Sequence, residues 1–379
     1  RWQNYLGRFN YNYNSKLFLE FLFRYQGSSI FYQNNRWGFF PGGSIAYRVS
    51  EENFWKENIR FINNFKLRAS YGKTGNDLVP PFQYLSLYQQ GITSYVEQVG
   101  STGSLTEIST LRESVAAYKN ATWEKADQLD IGLDADMFDS KVSLTFDYFK
   151  NKRTDILTPL SGGLPASTGI IPPDQNLGKF LNRGFDFNIA YENKAHAFTY
   201  GISLNGLYAK NKYLYFDEVA GIPGYQQQTG HPIGAGLYYN VLGIFRTAAD
   251  LKKYPAQVNG QAPQLGDLIF QDVNHDGKID QLDLVRSYKS SVPVFSGGLN
   301  FNFGYKNFDL SVLFQGALGA AMYLRPNFSL NTNYLVSFYE KRWTPENINA
   351  SFPRFSSGAS TYWTDPAGVF NTFFLHNTD

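Results

Sequence analysis

The sequence predicts an all-β chain that forms part of a transmembrane antiparallel β-barrel. Three observations predict it. Phe, Tyr and Trp make up 17% of the 379 residues and charged residues also only 17%, where a soluble domain carries about 25% charged residues; mean hydropathy is nevertheless slightly polar. Apolar and polar side chains alternate with period two in one segment after another. Tight turns then alternate with long gaps, the asymmetry of outer-membrane barrels.

A wall whose strands turn rings to one side and Asn, Ser, Gly or Asp to the other reconciles ring-rich, charge-poor composition with a polar average. The chain holds no run of eighteen apolar residues, so no helix is long and apolar enough to span a bilayer; a spanning β-strand needs only about 9–11 residues. A net charge of +2 gives no electrostatic case for nucleic acid. With no cysteine, disulfides, thiol chemistry and Cys-ligated zinc are ruled out.

The alternation is clearest where Val142, Leu144, Phe146 and Tyr148 oppose Ser143, Thr145 and Asp147, and recurs at 65–71, 129–135, 185–191, 198–208, 299–305 and 308–314. A soluble β-sandwich alternates too. Here the apolar face is Phe, Tyr and Leu rather than Val and Ile, and strands of roughly 10–15 residues exceed the mode of about 5–6 in soluble sheets. Placing the tight turns Asn14-Ser15, Asp139-Ser140, 192–195 and Lys306-Asn307 on the periplasmic side gives ten strands without a parity error. They are 5–13, 16–26, 39–49, 63–73, 126–138, 141–155, 179–191, 197–210, 293–305 and 308–319, with an eleventh beginning near 372. The remaining periplasmic connection, 50–62, reads as a helical turn. Long outer segments fall near 74–125, 156–178, 211–292 and 320–371. The stretch 237–246 looks like a strand, but counting it as spanning would reverse every later element; it belongs inside a large extracellular loop, 211–292. Residues 1–379 are thus expected to be part of one barrel domain, cut at both ends, with no plug domain in the chain.

Several segments carry a family resemblance. They are Gly7-Arg8-Phe9-Asn10-Tyr11, Arg24-Tyr25-Gln26-Gly27-Ser28-Ser29, Asn35-Arg36-Trp37-Gly38-Phe39-Phe40-Pro41 and 67–76 (LRASYGKTGN). Trp123-Glu124-Lys125, Asn182-Arg183-Gly184-Phe185-Asp186, Gly266-Asp267-Leu268-Ile269-Phe270 and Arg342-Trp343-Thr344-Pro345-Glu346-Asn347 follow in order. In this ordered series the chain resembles the C-terminal barrel part of the SusC/RagA family of TonB-dependent outer-membrane transporters of Bacteroidetes. The resemblance implies a 22-stranded barrel filled by an N-terminal plug, a SusD-like surface lipoprotein as lid, and coupling to the TonB complex through an N-terminal part absent here. It also implies outer-membrane lipid around the wall.

One local motif points to a metal. Asp272, Asn274, Asp276, Lys278, Asp280 and Asp283 stand at the ligand spacing of an EF-hand loop, Lys278 through its carbonyl, with Gly277 at the sharp turn and Asp in place of the last Glu. Ca2+ or Mg2+ is the expected ion, pinning the outer loop; the alternative is an acidic turn whose side chains cap backbone groups. The four histidines, His196, His231, His275 and His376, are scattered and read as surface or turn residues. Asp134 and Asp136 lie two apart on a polar strand face, explained by solvated charge without catalysis. No nucleophile elbow or phosphate loop appears, so no catalytic residue is assigned. Tyr362 and Trp363 are candidates for substrate stacking, but no substrate-binding residue is assigned.

The function expected is import of a glycan or oligopeptide across the outer membrane, without catalysis. Two alternatives stand beside it: an outer-membrane assembly platform, and a soluble calcium-dependent glycan-binding β-protein.

Overall fold

Residues with period-two alternation extend, and in the computed structural model they do so over long strands. The structure describes residues 2–99, 104–160, 172–254, 262–324, 336–355, 370 and 372–377. The first four strands are β1 (Trp2–Tyr13), β2 (Leu17–Ser28), β3 (Trp37–Arg48) and β4 (Ile62–Asn76). A hairpin follows, β5 (Leu87–Val99) and β6 (Ser104–Val115), then β7 (Glu124–Met137), β8 (Val142–Thr158), β9 (Gln175–Ala195) and β10 (Phe198–Tyr215). Four short strands come next: β11 (Leu237–Tyr239), β12 (Val241–Ile244), β13 (Leu268–Phe270) and β14 (Leu284–Arg286). The hairpin β15 (Phe295–Tyr305) and β16 (Phe308–Leu318) precedes β17 (Ala321–Tyr323) and β18 (Leu375–Asn377).

Ten of these form one sheet in the order β1-β2-β3-β4-β7-β8-β9-β10-β15-β16, the ten expected from the alternation. Successive strands are neighbours, so the tight turns gather at one end of the sheet and the long connections at the other. Turn residues at 14–15, 138–140, 196 and 306 take positive φ, which closes each hairpin within two to four residues. The longer connection on that end holds helix α1 (Asn53–Asn58), the helical turn expected there. Its Trp55 stacks on Phe65 of β4 at 5.1 Å between ring centroids.

The sheet is a single layer with its rings uncovered. Phe9 is 68% exposed, Tyr71 49% and Leu204 43%. Among the described residues no second sheet lies over them, which excludes the sandwich reading. Register carries the rings into cross-strand rows: Tyr148 faces Phe185, and Phe185 faces Tyr208, the last two stacked at 5.2 Å.

The stretch 237–246 stays out of the wall. β11 pairs with β14, and β12 with β13. The strand expected to begin near 372 starts as β18, which pairs antiparallel with β17 after a 3-10 turn, Thr372–Phe374, whose Phe374 is buried. One expectation needs correction: the 74–125 segment is not all loop, since the β5–β6 hairpin occupies much of it.

The chain divides into two compact units, 1–220 with 296–316, and 221–295 with 317–379. The first is the wall. The second has a core of its own, built on Tyr239, Ile244, Leu268, Phe270, Ile279 and Phe374.

Candidate transport surface

On β4, β7, β8 and β9 the polar positions of the alternating segments point to the face opposite the rings and bring their charges together there. Arg68 is the hub. Its guanidinium donates to Asp147 Oδ2 at 2.6 Å and to Asp134 Oδ2 at 3.2 Å, and lies 3.7 Å from Asp130. Lys66 reaches Asp134 at 3.5 Å, and Asn64 donates to Asp136 at 3.0 Å. Asp134 and Asp136 are therefore paired, not merely solvated. Asp147 is 8% exposed, with its Oδ1 left without a donor. With Asp186 also on this face, carboxylates outnumber the basic groups, so the inner surface here is negative.

Sequence reasoning missed this hub. The signal was Lys66-x-Arg68 on the polar positions of one strand, with Asp130, Asp134 and Asp136 on those of the next. Finding it required the β4–β7 register, in which Arg68 faces Gly132 between Asp130 and Asp134.

At the long-connection end of the wall unit, three separate sequence segments converge on one apolar cluster. Phe31, Phe40, Ala121 and Trp123 are buried together, with both Phe rings 5.4 Å from the indole. Trp123 Nε1 donates to the Arg36 carbonyl at 3.1 Å. Gly75 has no room for a side chain, because a Cβ would stand 1.9 Å from the Phe40 ring. The segments 35–41, 67–76 and 123–125 thus owe their residue types to one packing site.

The second unit is held in the same manner by 266–270 and 342–354. Gly266 sits at φ +90°, and a Cβ there would meet Trp343 at 2.5 Å. Asp267, 1% exposed, accepts from Arg354 Nε at 2.7 Å and from the Gln264 N–H at 2.8 Å. Burial pushes the Asp267 carboxyl up, against the pull of Arg354 and the Gln264 N–H. Arg246 donates to the carbonyls of Ile348 and Ala350 at 2.6 and 3.0 Å. Burial, with Asp283 and Asp280 nearby, pushes the Tyr239 hydroxyl up to about 12. These groups brace a surface; none is arranged as an acid–base pair.

The acidic loop lies in this unit. Asp272 Oδ2 accepts from the Gly277 N–H at 3.0 Å, Asn274 Oδ1 from Asp276 N–H at 3.1 Å, and Asp276 Oδ1 from Lys278 N–H at 2.9 Å. Asp280 Oδ1 accepts from Leu282 N–H, while buried Asp283 accepts from Val273 N–H at 2.7 Å and Asp280 N–H at 2.8 Å. Gly277 takes the positive φ its place in the motif requires. Asp272 Oδ1 is a buried acceptor with no donor, which suits a cation. The two Asp283 oxygens are engaged by the backbone, which does not suit a bidentate ligand. Among the described residues no three of His, Cys, Asp and Glu are grouped to hold a metal. Of the histidines, His231 is buried against Tyr288 rather than on the surface. Tyr362 and Trp363 lie outside the described residues.

The family description "TonB dependent receptor-like, beta-barrel" matches residues 3–378. The chain belongs to this family. TonB-dependent receptor P3 of Formosa agariphila is 32% identical over 363 residues, 92% of this chain and 35% of that protein. TonB-dependent receptor SusC of Bacteroides thetaiotaomicron is 29% identical over 332 residues, 84% of this chain and 31% of its own. The structure of the RagAB peptide transporter superposes with a TM-score of 0.73 at 20% identity, covering 99% of this chain and 39% of that one, a likeness of fold. This receptor barrel spans about a third of the length of the curated relatives it matches. The SusC/RagA-like resemblance thus stands, and with it the outer-membrane location: rings toward lipid, polar face inward, long connections on the extracellular side.

Proposed function

We propose that the full-length receptor imports a large nutrient, an oligosaccharide or an oligopeptide, across the outer membrane in a TonB-dependent cycle, without chemical change to the cargo. The observation that carries this reading is the family match over 3–378 on a one-layer sheet with rings outward and paired charges inward. In this reading the chain supplies barrel wall and extracellular loops, 211–292 among them. A plug and a TonB-contacting segment belong to the rest of the polypeptide, and a SusD-like lipoprotein closes the outer mouth. The RagAB transporter, a peptide transporter by its own description, supports the oligopeptide class, and the curated relative SusC, a TonB-dependent receptor, supports the TonB-dependent cycle.

A hard cation, Ca2+ or Mg2+, in the loop 272–283 belongs to the same proposal, supported by the donor-less Asp272 Oδ1. It would be bound by Asp272, Asn274, Asp276, Asp280 and the Lys278 carbonyl, and would stiffen the loop.

The test is uptake by cells expressing the full-length receptor with a SusD-like lipoprotein, using labelled oligosaccharide and oligopeptide libraries, with and without an intact TonB system. Accumulation of one class that ceases when TonB is lost is the expected result. A protein that resides in the outer membrane, binds partners and moves no cargo would favour the assembly platform instead.

A further inference from the structure

The outward face of the wall should be apolar or aromatic, yet on three adjacent strands it is not. Alternation puts Tyr148, Lys150 and Lys152 of β8, Leu181, Arg183 and Phe185 of β9, and Tyr208, Lys210 and Lys212 of β10 on the ring-bearing side. Register then lines them up. Tyr148, Phe185 and Tyr208 form one row; Lys150, Arg183 and Lys210 form the next; Lys152, Leu181 and Lys212 the one after. Lys179 lies beyond them, opposite Tyr215. The rows climb toward the long-connection, extracellular end, because β8 leaves the tight turn at 138–141 and β9 and β10 meet at 195–198.

All six cations are exposed. Among the described residues none of them forms an ion pair. The nearest outward carboxylate in register, Asp127 opposite Lys152, already accepts from Tyr71 Oη at 2.9 Å and stands 3.6 Å from Lys73. Lys210 and Lys179 lie over the rings of Tyr208 and Tyr215, at the border where aromatic side chains meet headgroups.

Like charges directly across from each other in a sheet repel. Three in one row span about 10 Å at the usual strand spacing, on a face turned to the membrane. Cations so placed reach from the hydrocarbon edge to the headgroup layer, where they attract anionic headgroups. β1 to β3 show the contrast. Near their outer ends Tyr5, Tyr25 and Trp37 stack on one another at 4.7–6.5 Å, and no such basic row forms.

We infer that Lys150, Arg183 and Lys210, with Lys152, Lys179 and Lys212, form a binding pad for the phosphorylated headgroup of an outer-leaflet glycolipid. The acyl chains of that lipid run down the rows Tyr148–Phe185–Tyr208 and Phe146–Phe187–Gly206. The pad is independent of the cargo proposed above and rests only on outer-membrane location.

The test uses full-length receptor purified in detergent and native mass spectrometry with three probes: purified lipid A, the same lipid chemically dephosphorylated, and inorganic phosphate. Lipid A is expected to remain bound. The variant Lys150→Gln/Arg183→Gln/Lys210→Gln should lose binding by about tenfold or more. A control, Lys194→Gln/Lys306→Gln, removes charge at the tight-turn end and should retain it. Heat-modifiable migration on gels confirms that each variant folds. Equal binding by the triple variant, equal binding of the dephosphorylated lipid, or an equal loss in the control would each overturn the pad. Inorganic phosphate displacing lipid A at millimolar concentration would show a site for free anion and overturn the lipid assignment.

Discussion

The wall and the second unit use the same residue types in opposite ways. In the wall, Phe9, Tyr71 and Leu204 stay uncovered and polar groups pair on the inner face; in the second unit, Leu268 and Phe270 are buried and polar side chains such as Gln281 stay out. Lipid serves the wall as solvent for its rings, while the second unit must build its own apolar interior against water. The same substitution should therefore have different costs in the two regions.

The largest difference is expected for truncation and charge. Leu268→Ala should cost about 2–5 kcal/mol, read as lost hydrogen-exchange protection at 241–244 and 268–270 in the full-length receptor. Leu204→Ala should cost far less, because acyl chains fill the space a core cannot. Leu204→Arg reverses the order, at about 2–4 kcal/mol near the bilayer midplane, measured by urea-dependent folding into vesicles. If Leu204→Ala proves as costly as Leu268→Ala, the ring-bearing face is not lipid-exposed.

Next comes the buried ion pair of the second unit. Asp267→Asn should cost about 1–3 kcal/mol by leaving the Arg354 guanidinium and the Gln264 N–H without their carboxylate, and should loosen 342–354 against 264–267. The wall's heat-modifiable migration should not change. Removing a cation should come next: chelation should lower the stability of 272–283 by about 1–3 kcal/mol relative to millimolar calcium, an effect absent in Asp272→Asn. Indifference to chelation would leave the loop as a self-capped turn.

The smallest effect is a pH response at helix α2 (Ala248–Lys253). Asp250 accepts from the Thr247 and Arg246 N–H groups, which hold its carboxyl below the usual carboxylate range. Its folded pKa is depressed, so its contribution is present above the unfolded pKa and fades as pH falls through the folded one. Amide protection of α2 should therefore fall in acid below about pH 4, and Thr247→Ala, which removes the reciprocal cap, should cost about 1 kcal/mol at neutral pH.

The wall was legible in the sequence because its rule is local. Ten strands could be numbered from alternation, and tight turns such as Asn14-Ser15 fixed their direction. The second unit obeys no local rule. Tyr239, Leu268 and Phe374 meet across more than a hundred residues, from two three-residue strands and a 3-10 turn that are too short to show a period. The acidic loop was legible as a motif, but not the way Asp283 turns both oxygens to the backbone. Lys150-x-Lys152 and Lys210-x-Lys212 are visible to the eye; that Arg183 stands between them depends on register.

One backbone bond has a wider meaning for assembly. Val294 N–H reaches the Leu318 carbonyl at 2.9 Å, joining the feet of the β15–β16 hairpin. Both halves of the second unit, 221–295 and 317–379, are tethered to those feet. The entropy of bringing two remote stretches together is thus met largely by zipping a membrane hairpin. What remains for the water-exposed core is to condense between ends that already stand side by side. A lesion in that hairpin should therefore scramble the second unit without touching its buried core residues.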